Sequence, residues 1–211
     1  PRIFLFENVR GLLSGRWTPD GEKGEIWNDV RSSFEAIRGY TVRWQLVHAK
    51  DYGVPQNRPR VLMVGVRDDM GWTANPSLAA GGLLPEPGAI PPHPVDVWSD
   101  LVDDDYLRKS TTDHYPRAPQ SDFQRAIRTK PTGKILAKGA ELSEHEYSQH
   151  SPRIRQKFIH MLKHGGEIPN DMRTKKFAQR LITRCWGPEG PNITATSLPD
   201  DFVHYEQPRS L

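Results

Sequence analysis

Arg2-Ile3-Phe4-Leu5-Phe6-Glu7-Asn8-Val9-Arg10-Gly11-Leu12 starts as a short apolar run without a turn residue and passes directly into an acid and an amide. Such a run suits a strand buried on both sides of a parallel sheet. Glu7 and Asn8 then fall at its C-terminal end, where open α/β sheets bind their ligands. Downstream, Ile26, Trp27, Val30, Phe34 and Ile37 recur at helical spacing and Gly39 follows as a stop, which predicts a helix crossing between two strands. Thr41 to Ala49 and Arg60 to Val66 are rich in β-formers. The N-terminal part therefore reads as strand, helix, strand, loop, strand, and the expected fold class is α/β.

After Asp68 the texture changes. Gly81-Gly82, Pro85, Pro87, Gly88, Pro91, Pro92 and Pro94 interrupt every period, as in a linker or an irregular surface segment. Beyond it, Val95 to Leu101 predicts a short helix, and Pro152 to His164 a longer one with Pro in its first turn and Gly165-Gly166 just past its end. The expected division is 1–68, 69–197 and a return segment 198–211.

At 211 residues the chain can hold one large domain or two small ones. Its apolar fraction is 36% and its mean hydropathy −0.69, so the core is modest and much of the chain is loop or solvated surface. No apolar run approaches the roughly 20 residues needed to cross a bilayer, and no leader-like segment opens the chain. A soluble, cytoplasmic protein is expected, with no membrane partner. The single Cys185 excludes an intrachain disulfide framework and a thiol-rich zinc site. Lys and Arg outnumber acids 29 to 26, a net charge of +3, too small a sum to identify a nucleic-acid partner by itself. Its distribution says more. Acids cluster at Asp100 to Asp105, whereas Arg153, Arg155, Lys157, Lys163, Arg173, Lys175, Lys176, Arg180 and Arg184 crowd the later part. That crowding marks either a basic lobe or a solvated helical face.

Two clusters carry chemistry. One is Glu7-Asn8 before Gly11; the other is Asp51-Tyr52-Gly53-Val54-Pro55-Gln56-Asn57-Arg58-Pro59-Arg60-Val61. The Gln-x-Arg-x-Arg core of the second sets three long donors at alternate positions, on one side of an extended segment. Such a fork suits phosphate or carboxylate; a loop-bracing polar network is the other reading.

In this order and at this separation the clusters resemble the DNA cytosine-5 methyltransferase family. Its Glu-Asn-Val motif looks like Glu7-Asn8-Val9, and its Gln-x-Arg-x-Arg motif looks like Gln56, Arg58 and Arg60. Gly190-Pro191-Asn192-Ile193-Thr194-Ala195-Thr196 resembles the end of the family's target-recognition domain, and Pro208-Arg209-Ser210-Leu211 the start of its next motif. The resemblance implies the C-terminal part of a Rossmann-like, S-adenosylmethionine-dependent methyltransferase sheet, followed by a mixed, loop-rich target-recognition domain. Double-stranded DNA is the implied partner. Glu7, Arg58 and Arg60 are the implied catalytic residues: Glu7 protonates or hydrogen-bonds N3 of a flipped cytosine from a dry pocket that raises its pKa, and the arginines hold the O2 edge and flanking phosphates. Asn8 and Gln56 would support that pocket. Arg153, Arg155, Lys175, Lys176, Arg184, Thr194 and Arg209 are the expected DNA contacts.

The match also has gaps. The family's nucleophile is a cysteine after proline upstream of Glu-Asn-Val, and Cys185 has no such context. No Gly-x-Gly follows a strand near the N-terminus, so most of the S-adenosylmethionine site is expected outside this chain. A fragment of a longer enzyme, or one subunit of a split enzyme whose companion chain carries the cysteine, would explain both, and the chain alone is expected to be inactive. A non-catalytic DNA-binding module is the alternative. His145, His150, His160 and His164 lack neighbouring acids at ligand spacing, so no metal is expected, and Trp186 reads as core rather than as a base-stacking platform.

Overall fold

In the computed structural model of the chain, which describes residues 1–71, 86–174, 178–193 and 202–211, the opening apolar run forms strand β1 (Ile3–Val9). Helix α1 (Glu25–Glu35) follows, then β2 (Tyr40–His48) and β3 (Pro59–Arg67). These are the elements read from periodicity, within a residue or two at most ends. Their pairing differs from expectation. The sheet order is β1-β3-β2, and β3 runs antiparallel to both neighbours. The reason lies in the connections. A parallel pair needs a crossover of a dozen or more residues; α1 supplies one between β1 and β2, but the short loop from Ala49 to Arg58 can only turn β3 back between them. The two outer strands therefore point the same way.

The strand is not buried on both sides either. Phe4 and Phe6 face a core of Trp27, Val42, Val61 and Met63, with Leu12, Leu13, Phe34 and Leu46 packed against it. Phe34 meets Phe4 and Phe6 at ring distances of 5.5 and 5.1 Å, and Trp27 meets Trp44 edge-on at 4.7 Å. The alternate residues Ile3, Leu5 and Val9 are 57, 65 and 52% exposed. The pattern is that of an edge strand covered on one face. At the centre, Gly65 stands opposite Phe4, and a Cβ on it would lie 2.0 Å from the ring; the glycine leaves room for the aromatic to cross β3.

The chain divides into two compact units, Pro1–Pro91 and Pro92–Leu211. The second is loop-rich: helices α2 (Pro94–Trp98), α3 (Asp122–Ile127) and α4 (Pro152–Lys163), and the two-residue parallel strands β4 (Arg180–Leu181) and β5 (Phe202–Val203). Ser151 caps α4 by accepting from Ile154 N. Phe158 and Met161 are fully buried against Val203, flanked by Ile154, Ile168 and Leu181. Gly166, at φ 95°, returns its N–H to Met161 O at 2.8 Å, a helix stop that needs the left-handed conformation. Residues 202–211 lie in this unit, with Val203, His204 and Tyr205 buried.

Polar groups hold what apolar burial cannot. Arg128 and Asp100 form a fully buried ion pair at 2.8 Å. Arg128 Nε also donates to Leu136 O at 2.9 Å, and its guanidinium lies 3.8 Å from the Tyr115 ring centre. Sequence reading singled out neither residue as a pair. Only distance along the chain separates Asp100 from an ordinary surface acid, and the loops that bring it to Arg128 have no periodic signature.

Candidate functional site

Glu7 and Arg60 meet. In the β1–β3 register Glu7 faces Leu62 and Val9 faces Arg60, so both side chains project on the face away from α1. Arg60 Nε is in ion-pair contact with Glu7 Oε1, although Nε itself is not in hydrogen-bond alignment; Arg60 Nη1 donates to Pro59 O at 2.8 Å. The Arg60 side chain is 17% exposed and that of Glu7 50%. The dry pocket expected around Glu7 is therefore not closed by the described residues, among which the acid stands on the uncovered face of an edge strand. Asn8 points the other way along the pleat and its Oδ1 accepts from Val9 N at 2.8 Å.

The loop before β3 is tightly self-bonded. Ala49 N donates to Arg58 O at 3.1 Å, Gln56 N to Val54 O at 2.7 Å and Arg58 N to Gln56 O at 3.1 Å. The last two are i to i−2 closures, so the backbone carrying Gln56 and Arg58 turns instead of running as the extended segment read from the sequence. Only Arg60 enters the strand. The half-buried Arg58 side chain makes no hydrogen bond or ion pair among the described residues, which leaves its guanidinium available. His48 Nδ1 contacts Asn57 Oδ1 at 3.0 Å, a brace that sequence reading did not assign. Gly53, at φ 81°, passes Ala89 so closely that a Cβ would come to 3.3 Å from its side chain.

The expected DNA contacts fare unevenly. Lys175, Lys176 and Thr194 lie outside the described residues. Arg184 pairs with Glu206 at 2.7 Å and sits over Tyr205. Arg153 Nη2 donates to Asp171 O at 3.4 Å from an exposed position. Arg209 is 7% exposed, its Nε donating to Gln207 Oε1 and Nη1 to Ser210 O, so it is an internal cation rather than a surface one. With Arg155 it lines a recess of about 340 Å³, counting the space at its mouth, together with Tyr106, Lys109, Tyr147 and His150. Trp186 is structural, donating from Nε1 to Pro92 O at 2.9 Å. His160 and His164 stack on each other, His150 bonds Ser210, and no metal-binding group of His, Cys, Asp or Glu occurs among the described residues.

The sequence profile of C-5 cytosine-specific DNA methylases matches residues 1–211. The chain belongs to this family. Within it, the chain is 43% identical over 72 residues to the type II methyltransferase M.BsuRI of Bacillus subtilis, covering 34% of this chain and 15% of that one. It is 29% identical over 168 residues to the type II methyltransferase M.XorII of Xanthomonas oryzae pv. oryzae, covering 72% and 37%. The chain thus spans well under half the length of these C-5 methylases. A solved structure from E. coli, described as a DNA modification methyltransferase encoded within a prophage, matches with a TM-score of 0.60 at 18% identity over all of this chain and 56% of that one. The fold is accordingly the α/β fold of a DNA methyltransferase, in its C-terminal part. Among the described residues no helix is long and apolar enough to cross a membrane.

Proposed function

We propose that this chain is the base-pocket and target-reading portion of a DNA cytosine-5 methyltransferase that takes a cytosine out of the duplex and methylates it at C5. The observation that carries the reading is the Glu7–Arg60 contact, two residues 53 positions apart by number that β1–β3 pairing sets side by side. An acid beside a guanidinium can hold the Watson–Crick edge of an extruded base, the carboxyl at N3 and the cation toward O2. Arg58, with no partner among the described residues, is proposed to take a neighbouring phosphate. The unit 92–211 is proposed to read sequence through groove contacts.

The methyl donor of such a reaction is S-adenosylmethionine. The described residues do not fit it: β1 runs straight into a 3-10 turn over Arg10–Ser14, with no glycine-rich loop at the strand end. Its site, like the nucleophilic thiol, is proposed to come from residues in cis or from a companion chain, and this chain alone is proposed not to transfer methyl groups. No step of the chemistry is assigned to Cys185, which is exposed.

The test uses the enzyme completed by those residues. Glu7→Gln keeps size but removes the transferable proton, and single-turnover methylation is expected to slow about 10²- to 10⁴-fold with duplex affinity unchanged. Arg60→Ala is expected to lose both rate and binding of the extruded base. A Glu7→Gln enzyme that lost affinity but kept its saturated rate would remove Glu7 from the chemical step. The half-exposure of Glu7 favours one second reading, a DNA-binding module without chemistry; there, no rate would exist to be slowed.

A further inference from the structure

We propose that the recess lined by Tyr106, Tyr147, Arg155 and Arg209 is an anion site that takes one phosphate oxyanion, and that in the assembled methyltransferase this is a phosphate of the DNA backbone. The second clause rests on the function proposed above; the first does not.

The lining contains Lys109, Arg155 and Arg209, and no carboxylate. Lys109 is already balanced, its Nζ 3.2 Å from Asp103 Oδ2. Arg155 and Arg209 are not. Arg155, in the first turns of α4, has no carboxylate partner among the described residues. Among the described residues Arg209 is held by neutral groups only, Gln207 Oε1 at 2.9 Å and Ser210 O at 3.0 Å, with the Tyr147 ring 5.1 Å from its guanidinium carbon. Gln207 is itself fixed, its Nε2 donating to Asp103 O at 2.7 Å, so Arg209 is preorganised rather than swinging. Tyr147 is anchored through its hydroxyl to Thr112, which also donates to Asp103 at 2.8 Å.

Tyr106 adds a third group to the recess. Its ring packs edge-on against Tyr147 at 5.9 Å, and its hydroxyl is buried without a hydrogen-bond partner. A buried hydroxyl left unsatisfied is costly and calls for an explanation. Both guanidinium groups act on this phenol, drawing its pKa down against the rise imposed by burial. Two guanidinium groups without a carboxylate partner among the described residues repel each other across one polar cavity, and an entering anion relieves that repulsion and gives the idle hydroxyl an acceptor. A tetrahedral oxyanion carries acceptor lone pairs enough for both guanidinium groups and a hydroxyl, and the polar lining does not suit an apolar side chain.

Free phosphate and a DNA phosphodiester share this chemistry, and two arms separate them. In the first, thermal unfolding of the 211-residue chain is followed in inorganic phosphate against chloride at matched ionic strength. Phosphate is expected to raise the midpoint of the parent and of Arg153→Gln, and to have no such effect on Arg155→Gln. In the second, duplex affinity is measured against salt. Arg155→Gln is expected to lower the log–log slope by about one, and Tyr106→Phe, which keeps the packing, to weaken binding about 2- to 10-fold. Equal phosphate stabilisation of the parent and Arg155→Gln would overturn the anion site. Phosphate binding that needs Arg155, in a chain whose duplex affinity and slope ignore it, would overturn the DNA assignment and leave a site for free phosphate. A parent chain that binds phosphate but no DNA would count against the target-reading role proposed above instead.

Discussion

Single side chains in this protein are defined by what they lack as much as by what they touch. His204 is buried, and its Nδ1 accepts from Glu206 N at 3.0 Å and Gln207 N at 3.1 Å while Nε2 has no partner. Both bonds require the neutral ring. Burial first, then the charge of Arg209, lowers its pKa from 6.5 to about 3. A depressed folded pKa means that the stabilisation is present above about 6.5 and is lost as pH falls toward 3. Unfolding free energy from urea titrations is expected to drop by about 1.4 kcal/mol per pH unit below 6.5 from this residue alone. His204→Asn, whose Oδ1 keeps the acceptor, should flatten that slope between pH 6 and 4; an unchanged slope would assign the effect elsewhere, with His145, also lowered by burial, as the next residue to test. At this scale the sequence was legible where a residue sits in a motif. Glu7 and Arg60, which the structure brings into contact, were singled out that way as candidates. Tyr106, Tyr147 and His204 were not, since an isolated aromatic or imidazole gives no sign of which atom will be left unsatisfied.

The elements follow their local chemistry closely, whereas their pairing depends on connections. Pro in the first turn and glycines after the end set α4, and apolar spacing set α1. What periodicity could not show is that β3 inserts between β1 and β2, because a continuous apolar run looks the same in a parallel and an antiparallel neighbourhood. The second unit is less legible still: α3 and the isolated bridges Thr111 to Glu146 and His114 to Glu141 rest on loop closure rather than on repeated pattern. The central strand offers a direct check. Gly65→Ala places a methyl into the Phe4 ring, and overpacking of this kind is expected to cost about 1–3 kcal/mol. Chemical denaturation would show it, and Phe4→Leu in the same chain is expected to restore part of the loss. A Gly65→Ala chain of parental stability would mean that Phe4 has another low-energy rotamer.

For the whole molecule, the decisive feature is the sheet face that carries Ile3, Leu5 and Val9. An edge strand with exposed alternate apolar residues is a template for further pairing. In the C-5 methylases, of which the chain spans only a part, that face is proposed to be covered by the remainder of the catalytic domain. Studied by itself, the chain is expected to self-associate as its concentration rises, and Leu5→Lys to suppress this while leaving the Glu7–Arg60 pair in place. Sedimentation velocity over a concentration series reads both; association that ignored Leu5→Lys would point to another surface.

The buried pair of Arg128 and Asp100 carries a consequence on a longer clock. Losing either partner strands a charge in the interior, at about 3–5 kcal/mol, against a total stability of about 5–15 kcal/mol for an ordinary domain. A lineage can exchange the surface residues of this unit one at a time. It cannot cross that pair in single steps without passing through a poorly folded ancestor. Arg128 and Asp100 should therefore be inherited together or replaced together, a fixed hinge pin whatever changes at the surface around it.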